Sequence, residues 1–168
     1  MSTKRFIVAL AAVLAAGTVL LLGQPAQANS TQQVNVSQDG VFAFHACPAG
    51  TPAADACLTD HLTGTLPGVG PVTGLFEVHI AYSSFGADGC GRIDKHGTFT
   101  GPAGTLKVQA AGLFCSNTSI ASYNFAILGG TGSYRFAVGA GIWSVPPASS
   151  FDGTAGEGAE IFFGTLTV

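Results

Sequence analysis

The sequence predicts an exported, all-β domain held by two disulfides, and three observations carry that expectation. Short apolar runs recur along the chain after its N-terminal segment, each closed by Gly-rich turn residues. The composition favours Gly, Thr, Val and Phe, the residues of strands and tight turns. Four cysteines follow a segment that reads as an export signal.

That segment begins with Lys4 and Arg5, continues as an almost unbroken apolar run from Phe6 to Gly23, and ends on Ala26-Gln27-Ala28. A positive start, an apolar stretch and a small-x-small site are what a signal peptidase needs, so residues 1–28 read as a cleaved signal peptide. The competing reading is an uncleaved anchor, because the run approaches bilayer-spanning length. After cleavage no membrane span remains, and about 140 residues form one domain, 29–168, large enough for a real core. Secretion follows as the expected localisation.

The mature chain keeps four bases, Arg92, Lys95, Lys107 and Arg135, against nine acids, a net charge of −5. No basic stretch is present to neutralise a phosphate backbone, so nucleic acid is a poor partner. In an oxidising compartment the four cysteines pair, whereas their spacing matches no zinc-ligand pattern.

Strands are expected over residues 33–36, 41–46, 58–66, 72–82, 91–100, 105–115, 120–128, 133–143 and 160–168. Residues 48–56 could form a helical turn between Cys47 and Cys57, and 146–158 read as a long loop. Two hairpins can be registered. Gly101-Pro102-Ala103-Gly104 is a turn with Pro at its second position. Pairing the strands symmetrically about it sets Phe99 opposite Leu106, Gly97 opposite Val108 and Cys90 opposite Cys115. Opposed residues in an antiparallel pair lie within disulfide reach, which selects Cys90–Cys115 and leaves Cys47–Cys57. The preceding hairpin, turning near residues 83–89, sets Glu77 opposite His96 and His79 opposite Asp94. Its other face carries Phe76, Val78, Ile80, Tyr82, Ile93 and Phe99.

Glu77, His79, Asp94 and His96, with Arg92 on the same face, form the most chemical cluster in the chain. Carboxylate–imidazole pairs support acid–base work or hold a metal. Exposed cross-strand ion pairs are the favoured reading, because the apolar face is the one that turns inward. His45 and His61 read as structural. Asp60 and His61, adjacent on a strand, point to opposite faces and make no dyad. Glu160 shares a face with Phe162 and Leu166, which makes it a rim residue, the favoured placement, or a lumen acid with a raised pKa. Gly129-Gly130-Thr131-Gly132 lacks the Lys-Ser/Thr of a phosphate loop, no nucleophile elbow occurs, and neither a cofactor nor a metal motif is found.

The segment Ile127-Leu128-Gly129-Gly130-Thr131-Gly132-Ser133-Tyr134-Arg135-Phe136-Ala137-Val138-Gly139 resembles the Gly-Gly-Thr-Gly-x-aromatic-Arg-x-Ala-x-Gly motif of dirigent and allene-oxide-cyclase-like proteins. The flanking Phe99-Thr100-Gly101 and Phe163-Gly164-Thr165-Leu166 fit as well, so the likeness runs over roughly the last hundred residues and is sharp at the glycine motif. It implies an eight-stranded antiparallel barrel with a ligand-sized lumen. Gly139 and Gly141 would relieve crowding at a bend. Arg135 would anchor the turn through carbonyls or line the barrel mouth.

Members of this group act on apolar, oxygenated small molecules by shape and conformer selection. Dirigent members orient radicals; cyclase members fold a reactive substrate into one ring-closing conformation. Export and two disulfides depart from the cyclases. The resemblance therefore implies a secreted barrel that binds or orients an apolar small molecule. A cyclase or isomerase is the alternative, and a filled, non-catalytic interaction barrel, oligomeric or not, the third reading. Glu160, Glu77 and Arg135 are the candidate acid–base groups, and Tyr123, Phe125, Trp143 and Phe162 the candidate lumen wall.

Overall fold

Along each long strand side chains alternate between the two faces, and one face is apolar almost throughout: Leu58, Leu62 and Leu66 on one strand, Val72, Phe76, Val78 and Ile80 on the next. A sheet with one apolar face must cover it, and this sheet does so by closing on itself. The computed structural model describes residues 30–168; the expected signal peptide lies outside the described residues. The strands are β1 (Thr31–His45), β2 (Ala56–Leu66), β3 (Gly70–Ile80), β4 (Cys90–Gly101), β5 (Gly104–Cys115), β6 (Ile120–Gly130), β7 (Val138–Val145), β8 (Ser150–Phe151) and β9 (Ala155–Thr167). Neighbours in the chain pair antiparallel from β1 to β7. Then β7 pairs with β9, and β9 returns to β1. The result is a closed eight-stranded barrel, with the two-residue β8 laid against β9. Closure leaves the eight barrel strands without a free edge.

Both registered hairpins stand as read. Cys90 faces Cys115, Gly97 faces Val108 and Phe99 faces Leu106. Glu77 faces His96 and His79 faces Asp94. Both disulfides form, Cys47–Cys57 and Cys90–Cys115.

Several boundaries differ from expectation. The two runs 33–36 and 41–46 are one strand, because β1 pairs with β9 along nearly its whole length and the intervening Ser37-Gln38-Asp39-Gly40 is carried in that ladder. The strand expected at 133 starts at Val138. Residues Gly132–Tyr134 form a 3₁₀ turn instead. β3 stops at Ile80, and Tyr82 begins a second such turn. Residues 48–56 make two successive turns, closed by Thr51 N–H to Pro48 O and Asp55 N–H to Pro52 O, without a helix. The loop at 146–158 is shorter than expected, since β9 already begins at Ala155.

The glycine motif is explained by close approach. Gly129 and Gly132 have left-handed φ values of 90° and 58°. A Cβ on Gly130 would come within 1.7 Å of the Thr105 carbonyl oxygen. The segment is thereby clamped onto the β4–β5 turn: Thr131 N–H donates to Thr105 O (2.9 Å) and Ser133 N–H to Ala103 O (3.0 Å). Gly139 and Gly141 lie where added Cβ atoms would strike β9 carbonyls.

The inner face is apolar apart from Gln38, Asp60, Lys95 and Glu160, and the outer face mixes charged side chains such as Glu77, Arg92 and Lys107 with exposed apolar ones such as Leu75, Leu113 and Ile142. Cys90–Cys115 joins the open end of the β4–β5 hairpin across a separation of 25 residues. Its replacement by two serines is expected to destabilise the domain by about 3 kcal/mol in urea titration, chiefly by releasing the unfolded chain.

Candidate functional site

The two halves of the barrel are filled differently. At the end formed by the β4–β5 turn and the glycine motif, Val34, Leu66, Phe99, Val108, Phe125, Ile127, Phe162 and Leu166 pack into a continuous core. At the other end the interior opens into a cavity of about 440 Å³, in the range of small-molecule sites. Its wall is Leu58, Val78, Ile80, Ile93 and Ala121, and its mouth is rimmed by aromatic and proline residues. Phe151 of β8 stacks on Phe42 (6.0 Å between centroids) and meets Phe44 (6.1 Å). Tyr82 packs on Phe85 (4.7 Å), and Pro146 and Pro147 complete the rim. Room exists here because Gly40 and Gly158 face each other across the β1–β9 ladder and place no side chain inside.

Between cavity and core lies a layer of charge. Lys95 is 1% exposed, Asp60 2% and Glu160 6%. They come from β4, β2 and β9 and meet only because the barrel is closed. The Lys95 ammonium donates to Asp60 Oδ2 and to both Glu160 oxygens, at 3.0 and 2.7 Å. It also stands 3.9 Å from the Trp143 ring centroid, and the Trp143 indole N–H donates to Glu160 Oε2 at 2.7 Å. Taking these ions from water costs several kcal/mol each, which only dense pairing of this kind offsets. Burial pushes the Glu160 carboxyl up to about 7; Lys95 opposes that rise and the Asp60 carboxylate adds to it. Tyr123, which lines the cavity, has its phenol raised by burial and by the nearby Glu160, Asp60 and Asp94 carboxylates.

Not every polar atom in the layer is paired. Asp60 Oδ1 and both polar atoms of the Gln38 carboxamide are buried without a hydrogen-bond partner among the described residues. Gln38 is the cross-strand partner of Glu160.

Of the residues singled out in the sequence, Glu160 lies in the charge layer and not on the rim. Tyr123 lines the cavity, and Trp143 sits beneath Lys95. Phe125 and Phe162 belong to the packed half, with centroids 5.9 Å apart. Glu77 is outside the barrel. Its Oε2 lies 3.0 Å from His45 Nε2, and Thr59 donates to its Oε1. The Ala46 carbonyl at His45 Nδ1 and the Glu77 carboxylate raise the His45 pKa. His79 meets Asp55 (3.0 Å), whose carboxylate is held low by the Ser83 N–H and by His79, and Arg92 meets Asp94 (2.8 Å). The cluster does not pair within itself as the register alone suggests: Glu77, His79 and Asp94 turn to His45, Asp55 and Arg92 instead, in ion pairs of a kind worth about 0.2–1 kcal/mol each at a surface. His61 is exposed. Arg135 is exposed at the closed end, with its guanidinium 5.4 Å from the Phe136 ring. It neither lines the mouth nor hydrogen-bonds a carbonyl among the described residues, since the motif's turn is already satisfied by backbone and Thr131.

Lys95 and Asp60 are the site residues that sequence reasoning passed over. The signal was there: the hairpin register that turns Asp94 and His96 outward turns Lys95 inward, between Ile93 and Phe99. Asp60 alternates in the same way with Leu58 and Leu62.

The fold is a closed antiparallel barrel, packed at one end and open at the other onto a buried charge layer. No protein-family model and no curated protein matches the chain. Among solved structures it is similar in fold to the Diels Alderase AbmU from Streptomyces koyangensis, with a TM-score of 0.51 and 15% identity. The likeness covers 84% of this chain and 70% of that one.

Two outcomes are expected. Lys95→Met leaves two buried carboxyl groups without their cation and should cost on the order of 3–5 kcal/mol in urea titration. Glu160 holds its proton up to about pH 7 in the fold, against 4.5 in the reference state. Its contribution to stability is therefore complete below the lower value and lost as pH rises through the higher one. Melting temperature should fall between pH 5 and 7.5, by the equivalent of on the order of 3 kcal/mol, and Glu160→Gln should flatten that slope.

Proposed function

We propose that this chain acts outside the cytoplasm as a barrel that binds one apolar small molecule in its open half and holds it in a fixed orientation, in the manner of dirigent-like proteins. The observation that carries the reading is the cavity of about 440 Å³, apolar along most of its wall, with Ser116 and Ser119 also in its lining and Asp60, Lys95, Glu160 and Tyr123 converging at its floor. Such a site buries most of a ligand's apolar surface and uses a few polar groups to fix its direction. The two disulfides and the export-type N-terminus support an extracellular setting. The glycine motif and the fold shared with a Diels Alderase support a small molecule as the occupant.

One observation favours a second reading, a ring-closing cyclase or isomerase. Glu160, raised to about 7, is poised to give or take a proton at neutral pH at the end of an apolar chamber. In that case the wall would fold the substrate into its reactive conformation and the carboxyl would serve the developing charge.

Native and denaturing mass spectrometry of the exported protein test the first reading. An adduct that survives native conditions and dissociates on denaturation is expected, and Val78→Phe, which fills part of the wall, should weaken its binding by about tenfold or more. A bare mass that stays bare after incubation with lipid and phenolic extracts would sink it. Glu160→Gln separates the two readings: binding without turnover survives the change, whereas a cyclase loses its rate and the alkaline or acid limb of its pH profile.

A further inference from the structure

The groups a ligand can reach at the cavity floor are fewer than the groups that form it. Asp60 Oδ1 and both polar atoms of the Gln38 carboxamide lack a partner, but all three are sealed within the wall. The Lys95 ammonium is buried, and its hydrogens are taken by Asp60 Oδ2 and the two Glu160 oxygens. The Trp143 N–H is taken by Glu160 Oε2. Tyr123 differs from all of these. It is buried beside Trp143, with ring centroids 5.8 Å apart, and it lines the cavity. A buried phenol ordinarily finds a hydrogen-bond partner, as Tyr134 does at the Val69 carbonyl. The Tyr123 hydroxyl has none among the described residues, yet it is not one of the sealed atoms. Inside a closed barrel, the surface it keeps is turned to the cavity that its residue lines.

Burial and the Glu160, Asp60 and Asp94 carboxylates hold the phenol proton in place, so Tyr123 stands at the floor as a neutral O–H donor. The charge around it decides which acceptor it can meet. One ammonium faces two carboxyl groups, so the layer is neutral with Glu160 protonated and negative with it ionised. A ligand carboxylate would lose its hydration in an apolar chamber and find no free cation there to replace it. A carbonyl oxygen is an acceptor without charge. It also brings no proton that would need an acceptor in return, and both Glu160 oxygens are already engaged by Lys95.

We infer that the cavity takes neutral apolar molecules bearing a carbonyl, whose oxygen accepts a hydrogen bond from the Tyr123 hydroxyl at the floor, and that it rejects the corresponding carboxylates. The inference rests on the cavity-binding reading above and deepens it. The apolar wall then sets the size of the ligand, and Tyr123 sets which end of it points inward.

Equilibrium dialysis of the exported, disulfide-bonded protein against three probes of matched shape tests this: 2-acetylnaphthalene, 2-isopropenylnaphthalene, in which a methylene replaces the carbonyl oxygen, and 2-naphthoate. The ketone is expected to bind, and the naphthoate at least about tenfold more weakly. Tyr123→Phe keeps the ring and removes only the hydroxyl. It should weaken the ketone by about fivefold or more while leaving the alkene within about twofold. The infrared carbonyl stretch of bound 2-acetylnaphthalene supplies a second readout that needs no variant: it should lie below its position in hexane, and return toward that position in Tyr123→Phe. A stretch at the hexane position, ketone and alkene weakened alike by the substitution, or naphthoate bound tightest would overturn the inference and leave the cavity reading intact. Binding of none of the three would overturn both.

Discussion

Pairing of β1 with β9, from Thr31 against Thr167 to Ala43 against Ala155, closes the sheet, and the interior exists only because of it. The first and last strands of the domain form this ladder, so it closes the longest loop in the fold and its entropic cost falls on the whole chain. The same ladder brings Glu160 of β9 into the lumen beside Gln38 of β1. From there Glu160 reaches across to Lys95 of β4, while Asp60 of β2 comes from the other side of β1. An open sheet carrying these residues would expose three ionisable side chains on an otherwise apolar face, and each would be solvated singly. Closure is what turns them into a buried, mutually paired group.

That group divides the barrel. Below it the inner face carries large side chains: Phe76, Phe99, Trp143 and Phe162 pack with centroid distances between 4.2 and 6.5 Å. Above it the inner face carries Gly40, Ala121 and Gly158 alongside medium-sized aliphatic residues. The ion layer needs the dense support of Trp143 and Phe76 beneath it, because Lys95 has no water to solvate it and uses the rings instead. Stability therefore concentrates in the packed half and leaves the open half free to be shaped by a ligand. The disulfide Cys47–Cys57 and the contact of Asp55 with His79 and Ser83 brace the loops of the open end, where the core no longer does so.

Much of the architecture was legible from alternation and turns. Cys90 opposite Cys115 and Glu77 opposite His96 follow from counting outward from two turns, because hairpin register is set locally. What failed was of two kinds. The break placed at Ser37–Gly40 assumed that a polar run ends a strand, whereas continuous pairing with β9 carries these residues through. The strand placed at residue 133 missed the 3₁₀ turn that the left-handed Gly132 initiates. At the site, Glu160 could be placed on an inward face but not given its depth, since burial depends on which strand closes the barrel. Lys95 enters the sequence reading only as one of four bases in the net charge, although its own hairpin register turns it inward. A lysine between Ile93 and Phe99 on an apolar face signals a buried carboxylate partner that the chain must supply elsewhere, and Asp60, alternating with two leucines, signals the same in reverse.

Seen from the lumen, the residues that determine binding and those that determine folding are separated along the barrel axis, and glycine marks the boundary. Gly40 and Gly158 are cross-strand partners, so two adjacent side-chain positions are missing at one height. The neighbouring pair, Phe42 with Gly156, fits the Phe42 ring over a residue with no Cβ, where an added one would lie 2.6 Å from it. Ring and gap are thus staggered: the mouth is narrowed by Phe42 and Phe151, and the chamber widens behind them beside Asp60. Two facing glycines at one height, behind a ring of aromatic side chains, are what give the chamber its width, while the large side chains of the packed half carry the fold.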